Sequence, residues 1–140
     1  MSAQRVEFRV GVADPLGYCC ALLRAAEAKG ARTVVCAPPA WIDELDQRLW
    51  SFSQPDFLAH CRVGEALERR SPIVLSDAAD VRALQGRDCL VNLGTEEVLG
   101  WQQLPRVIEL VGADAPAKAA ARQRFRMYRS AGLEPQTVET

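Results

Sequence analysis

The sequence predicts a three-layer α/β/α fold, with a mostly parallel sheet of five core strands and helices on both faces. Three observations carry this expectation. Short β-branched runs alternate along the chain with segments of helical spacing, as in successive βα units. The runs "RTVVCA" (32–37), "PIVLS" (72–76) and "DCLVNLG" (88–94) have apolar centres without in-out alternation and read as buried strands, as expected when both faces of a sheet are covered. The chain has 140 residues, 49% hydrophobic and 25% charged, the size and composition of one globular domain. It reads as a single domain over 1–140, with about 134–140 as a frayed tail.

The elements follow in order. "VEFRVGV" (6–12) alternates in and out and reads as a strand. In "PLGYCCALLRAAEAKG" (15–30), Leu16, Cys19, Cys20, Leu23, Ala26 and Ala28 give helical spacing, and Gly30 suits the end. After the strand at 32–37, Pro38 and Pro39 turn the chain into a second helix, "AWIDELDQRLW" (40–50), with Trp41, Leu45 and Leu49 along one face. Residues 51–71 have no regular pattern. Between the strands at 72–76 and 88–94, "DAADVRALQGR" fits a short helix or a loop. "TEEVLGWQQL" (95–104) reads as a helix with Thr95 as N-cap, and "RVIELV" (106–111) as the fifth strand. The last helix is the best defined: Asp114 caps it, Pro116 suits its first turn, and Gly132 closes it.

Several functions are disfavoured. No apolar run reaches the roughly 18 residues that span a bilayer, and the first ten residues lack an apolar signal-peptide core, so a cytoplasmic protein without membrane contact is expected. Five cysteines, an odd count with no C-x-x-C, suggest neither a disulfide framework nor a zinc site, and no metal or other cofactor is expected. "GVADPLG" after the first strand is neither a dinucleotide fingerprint nor a phosphate loop, so the fold is Rossmann-like without a nucleotide-binding loop. A thiol nucleophile usually needs a base, and the one histidine, His60, reads as a packed or loop residue; its candidate thiol partner is Cys36, at the end of the second strand where α/β enzymes place functional groups. That pairing defines the alternative reading, a small α/β enzyme with a pocket at the strand C-termini near Cys36.

The charge distribution is more informative. The net charge is −1, yet residues 115–133 hold five basic side chains and no acid, against a net −4 over residues 1–114. At 100° per residue, Lys118, Arg122, Phe125 and Arg129 fall within about 60° of arc, with Arg126 beside them. Ala117, Ala120, Ala121, Met127, Tyr128 and Ala131 form the opposite, packing side. Arg124 falls there too and must find a partner or reach out. A merely solvated face normally mixes both signs, so cations around an aromatic suggest a site for a group both apolar and anionic. A slightly acidic protein with one short basic face suits a small anionic partner better than direct, strong nucleic-acid binding. A second aromatic cluster, Trp50, Phe52 and Phe57, sits where the second helix gives way to a loop.

"LDQRLW" (45–50) followed by "FLAH" (57–60), together with "RQRFRMYRSAG" (122–132), resembles the chi subunits of bacterial DNA polymerase III. The likeness extends over nearly the whole chain, with Ala59 standing where the family often has Pro. It implies a non-catalytic accessory protein of the replicative holoenzyme. Such a protein binds the psi subunit of the clamp loader and the acidic C-terminal tail of single-stranded DNA-binding protein, which ends in phenylalanine. By resemblance, Lys118, Arg122, Phe125 and Arg129 hold the tail, Arg126 supports them, and Trp50 and Phe57 form the pocket wall. The psi-binding surface is expected as an apolar patch away from the last helix.

Overall fold

The computed structural model describes residues 4–51, 59–66 and 68–140. Its elements are β1 (Arg5–Val12), α1 (Pro15–Ala28), β2 (Thr33–Cys36), α2 (Pro39–Ser51), β3 (His60–Arg62), β4 (Ile73–Ser76), β5 (Cys89–Asn92), a 3-10 turn (Trp101–Gln103), β6 (Arg106–Gly112), α3 (Ala115–Ser130) and β7 (Gln136–Glu139). The strands form one sheet in the order β3-β4-β2-β5-β6-β1-β7, and every pairing in it is parallel.

Period-two alternation assigns each strand residue to a face. Val35, Ile73, Leu75, Val91, Ile108 and Leu110 pack with Leu16, Cys19, Cys20 and Leu23 of α1 and Ile42, Leu45 and Leu49 of α2. Their strand neighbours Val34, Cys36, Leu90, Val107 and Val111 point the other way. They pack with Ala121 and Tyr128 of α3 and with Val81, Val98, Trp101 and Leu104 of the long connections. Thus α1 and α2 cover one face, and α3 with the connections on either side of β5 (77–88 and 94–104) covers the other. Two helix starts are capped by aspartate, the expected Asp114 and also Asp14, which the sequence reading did not single out. Asp14 accepts the Gly17 N–H at 3.2 Å, and Asp114 accepts the Ala117 N–H at 3.1 Å.

Three sequence expectations are corrected. The sheet has seven strands, not five. The extra two are its edges, where one face need not be apolar and the pattern is weak. β3 is three residues long, and β7 carries no buried residue. The tail read as frayed is therefore a strand over most of its length, running beside β1, with the Thr140 hydroxyl donating to the Val10 carbonyl at 2.9 Å. Residues 95–104 form no α-helix, only the turn at Trp101–Gln103. Carbonyls that would begin such a helix are taken by side chains: Arg124 donates to Thr95 O at 2.9 Å and Asn92 to Glu96 O at 3.0 Å. Gly100 then adopts φ 91°, which breaks helical geometry.

Candidate functional site

α3 is a 16-residue helix whose two sides do different work. Its inner side is fixed by a polar network, not by apolar packing alone. The Glu109 carboxylate of β6, fully buried, accepts Arg124 Nε at 3.0 Å, Asn92 Nδ2 at 3.0 Å and the Tyr128 hydroxyl at 2.7 Å. Burial pushes the Glu109 carboxyl above the usual range, and Arg124, Tyr128 and Asn92 pull against that rise. The Tyr128 hydroxyl is driven upward by burial and by the facing carboxylate. The sequence reading left Arg124 in need of a partner. That partner is Glu109, the single acid inside the apolar run "RVIELV", and its isolation there was the signal available beforehand.

The outer side presents Lys118, Arg122, Arg126 and Arg129, all exposed. Among the described residues, none of the four joins an ion pair. Phe125 lies between them but is half-buried, its ring 5.3 Å from that of Phe8 at an interplanar angle of 53°. One edge of Phe125 therefore belongs to the core and the other to the stripe. The result is a strip of unneutralised guanidinium and ammonium groups around an aromatic edge, on a helix locked from beneath. Such a strip suits a carboxylate-bearing ligand with an apolar end.

Trp50 stands elsewhere. It closes α2 on the opposite face of the sheet, 60% exposed, and its ring lies 5.5 Å from that of His60 in an edge-to-face arrangement. The His60 side chain is buried, its Nε2 2.6 Å from Asp46 Oδ1. Arg62 donates to the other oxygen of Asp46 through Nε at 3.1 Å and NH2 at 3.0 Å. Burial works to raise the Asp46 carboxyl, but His60 and Arg62 together hold it below its usual value. The imidazole that carries Trp50 is thus set by a neighbouring ion pair. The structure does not bring Trp50 to the α3 stripe, because α2 and α3 cover different faces. Phe57 and Phe52 lie outside the described residues.

The C-terminal ends of the strands, where α/β folds commonly bind ligands, form a cleft of about 520 Å³ between Pro15, Pro38, Trp41, Leu93 and Pro116. The helix N-termini that would cradle a phosphate there are already occupied by Asp14 and Asp114, whose charge repels an anion. Cys36 lines the adjoining hollow but is 1% exposed, and burial pushes its thiol up to about 12. His60 begins β3 and faces α2, whereas Cys36 ends β2 and faces the α3 side, so the two are not partners. Among the described residues no cluster of histidine, cysteine and acid could hold a metal ion, and no helix is long and apolar enough to cross a membrane.

Comparison with known proteins places this geometry in a lineage. The fold resembles the C-terminal domain of the DEAD-box protein Dbp5 of S. cerevisiae, with a TM-score of 0.61 at 10% identity, covering 98% of this chain and 90% of that one. At that identity the likeness concerns fold alone. The chain is 35% identical over 133 residues to DNA polymerase III subunit chi of Pseudomonas aeruginosa, which spans 91% of each protein. It is 33% identical over 99 residues to the Haemophilus influenzae protein of the same name, covering 71% of this chain and 68% of that one. A family model described as "DNA polymerase III chi subunit, HolC" matches residues 3–136, and the chain belongs to that family.

Proposed function

We propose that this chi-family chain is a non-catalytic, cytoplasmic accessory subunit of the replicative polymerase that joins two partners through two separate surfaces. The first surface is the outer side of α3, which takes the acidic C-terminal tail of single-stranded DNA-binding protein. Arg122 sits at the middle of the stripe and receives the terminal carboxylate, the edge of Phe125 meets the terminal phenyl ring, and Lys118, Arg126 and Arg129 attract the preceding acids. The observation that carries this reading is the set of four exposed cations with no acid among them around one aromatic edge. The second surface is built on Trp50, an exposed apolar ring away from α3, and it takes the psi subunit.

The test is an anisotropy titration of the full chain with a fluorescent tail peptide, with and without its final Phe. Saturable binding that needs the final Phe is expected. Arg122→Ala should weaken it by about 2 kcal/mol, roughly thirtyfold, the scale of a hydrogen bond to a charged group. Trp50→Ala should leave the titration unchanged and abolish co-elution with psi. Loss of tail binding in Trp50→Ala would join the two surfaces into one and overturn the division.

A further inference from the structure

A second group of cations lies where β2 and β5 begin, at the end of the sheet remote from the Cys36 cleft. Arg32, Arg69 and Arg87 line one polar pocket of about 380 Å³ to which α3 contributes nothing. Arg87 is 6% exposed and donates NH1 to Ser71 O at 2.7 Å and NH2 to Glu68 O at 2.6 Å. Arg32 donates NH2 to Arg69 O, and its Nε–H is buried with no acceptor among the described residues. Two acids stand close, and both have an oxygen engaged by backbone. Asp88 Oδ2 accepts the Arg32 N–H at 2.8 Å, and Glu68 Oε1 accepts the Gly64 N–H at 2.8 Å. Among the described residues Arg32, Arg69 and Arg87 form no ion pair.

Carbonyl oxygens satisfy guanidinium N–H groups but bring no net charge. A buried cation such as Arg87 without a counter-ion is costly, and the half-buried Arg32 beside it adds repulsion. Burial first, and then the charge of Arg32, pull the Arg87 guanidinium below its ordinary value in spite of Glu68 and Asp88. An oxyanion in the pocket would relieve the repulsion and accept the unsatisfied Arg32 Nε–H together. Three guanidiniums favour a ligand with more than two acceptor oxygens and more than one charge, which selects a phosphate over a carboxylate.

We propose that the Arg32–Arg69–Arg87 pocket binds a phosphate group, either a free phosphate or a phosphodiester of a nucleic-acid strand. The site is independent of the tail-binding reading. The test is heteronuclear NMR of the full chain, titrated with inorganic phosphate against chloride at matched ionic strength, and separately with a short oligothymidylate. Saturable shifts are expected at the amides of Arg32, Gly86 and Arg87, with a phosphate-dependent rise in Tm. Arg69→Ala and Arg32→Gln, at exposed and half-exposed positions, should each weaken binding by roughly tenfold, one charge-assisted hydrogen bond's worth, while melting cooperatively without phosphate. Saturation by inorganic phosphate without competition from the oligonucleotide assigns a free phosphate. Oligonucleotide shifts at the same amides and at lower concentration assign a phosphodiester. Shifts confined to α3, no saturation by either probe, or unchanged affinity in both variants overturn the proposal.

Discussion

Replacing Arg124 with Met tests whether the buried network holds α3. The substitution keeps most of the side-chain volume and removes the charge from a site that is 5% exposed. Glu109 would retain Tyr128 and Asn92 but lose its cation at 3.0 Å. At an effective dielectric near 20, a contact pair is worth roughly 4 kcal/mol, and breaking one buried pair from one side costs about 3–5 kcal/mol. Against a domain stability of about 5–15 kcal/mol the variant folds with a narrow margin. Its deficit should depend on pH, with a definite sign. Without Arg124, burial raises the folded-state Glu109 carboxyl further above its unfolded value, so the native state holds the proton more tightly than the unfolded chain does. Stability is then fullest below the unfolded value and falls as pH rises, by up to about 1.4 kcal/mol per unit, until the folded value is passed. Urea unfolding of variant and parent at matched pH, from about pH 5 to pH 8, reads the difference directly, because groups common to both cancel. A deficit that is flat with pH, or below about 1 kcal/mol at the upper end, would refute the view that this pair fixes the helix.

Three further outcomes are expected. Cys36 and Cys89, whose thiols burial pushes up to about 12 and about 11, should react with a disulfide reagent at mildly alkaline pH only after unfolding, and rapid labelling of native Cys36 would revive a nucleophilic role. Asp114→Ala removes the cap on the Ala117 N–H and should cost about 1 kcal/mol, read as a Tm lowered by roughly 4 °C. Trp50→Ala should change stability by less than about 1 kcal/mol, whereas Leu49→Ala beside it, fully buried, should cost about 2–5 kcal/mol in urea unfolding, and equal costs would contradict the orientation of α2.

The central layer was legible because a covered parallel strand has a distinctive composition. "RTVVCA", "PIVLS" and "DCLVNLG" contain the all-buried strands β2, β4 and β5. The edges were not legible, since "HCR" and "QTVE" need only backbone partners to be strands. The segment 95–104 misled for a different reason. Its local preference was helical, but Arg124 and Asn92, remote from it in sequence or in the neighbouring strand, take its carbonyls. For the candidate site, the helical phase of α3 was readable because it depends on spacing alone. The relation of Trp50 to that helix was not, because it depends on which face of the sheet each crossover takes. Phe125 shows the limit of a wheel projection: it sits in the charged stripe and also packs against Phe8.

Arg122 and Arg124 make the same point at the scale of two residues. Both are arginines on one helix with no acid of its own, and rotation alone does not explain why one becomes a structural strut and the other stays open. The difference is Glu109. It is the acid that the sheet offers to α3, and it is spent inward on Arg124, Tyr128 and Asn92. Among the described residues no acidic side chain pairs with the outer stripe, which therefore keeps its charge. The network that holds the helix down and the surface that the helix offers have one cause. A slip of the helix by one position would swing Arg124 away from Glu109 and carry the outer cations toward the sheet. The buried carboxylate thus selects the register in which Lys118, Arg122, Arg126 and Arg129 face outward together.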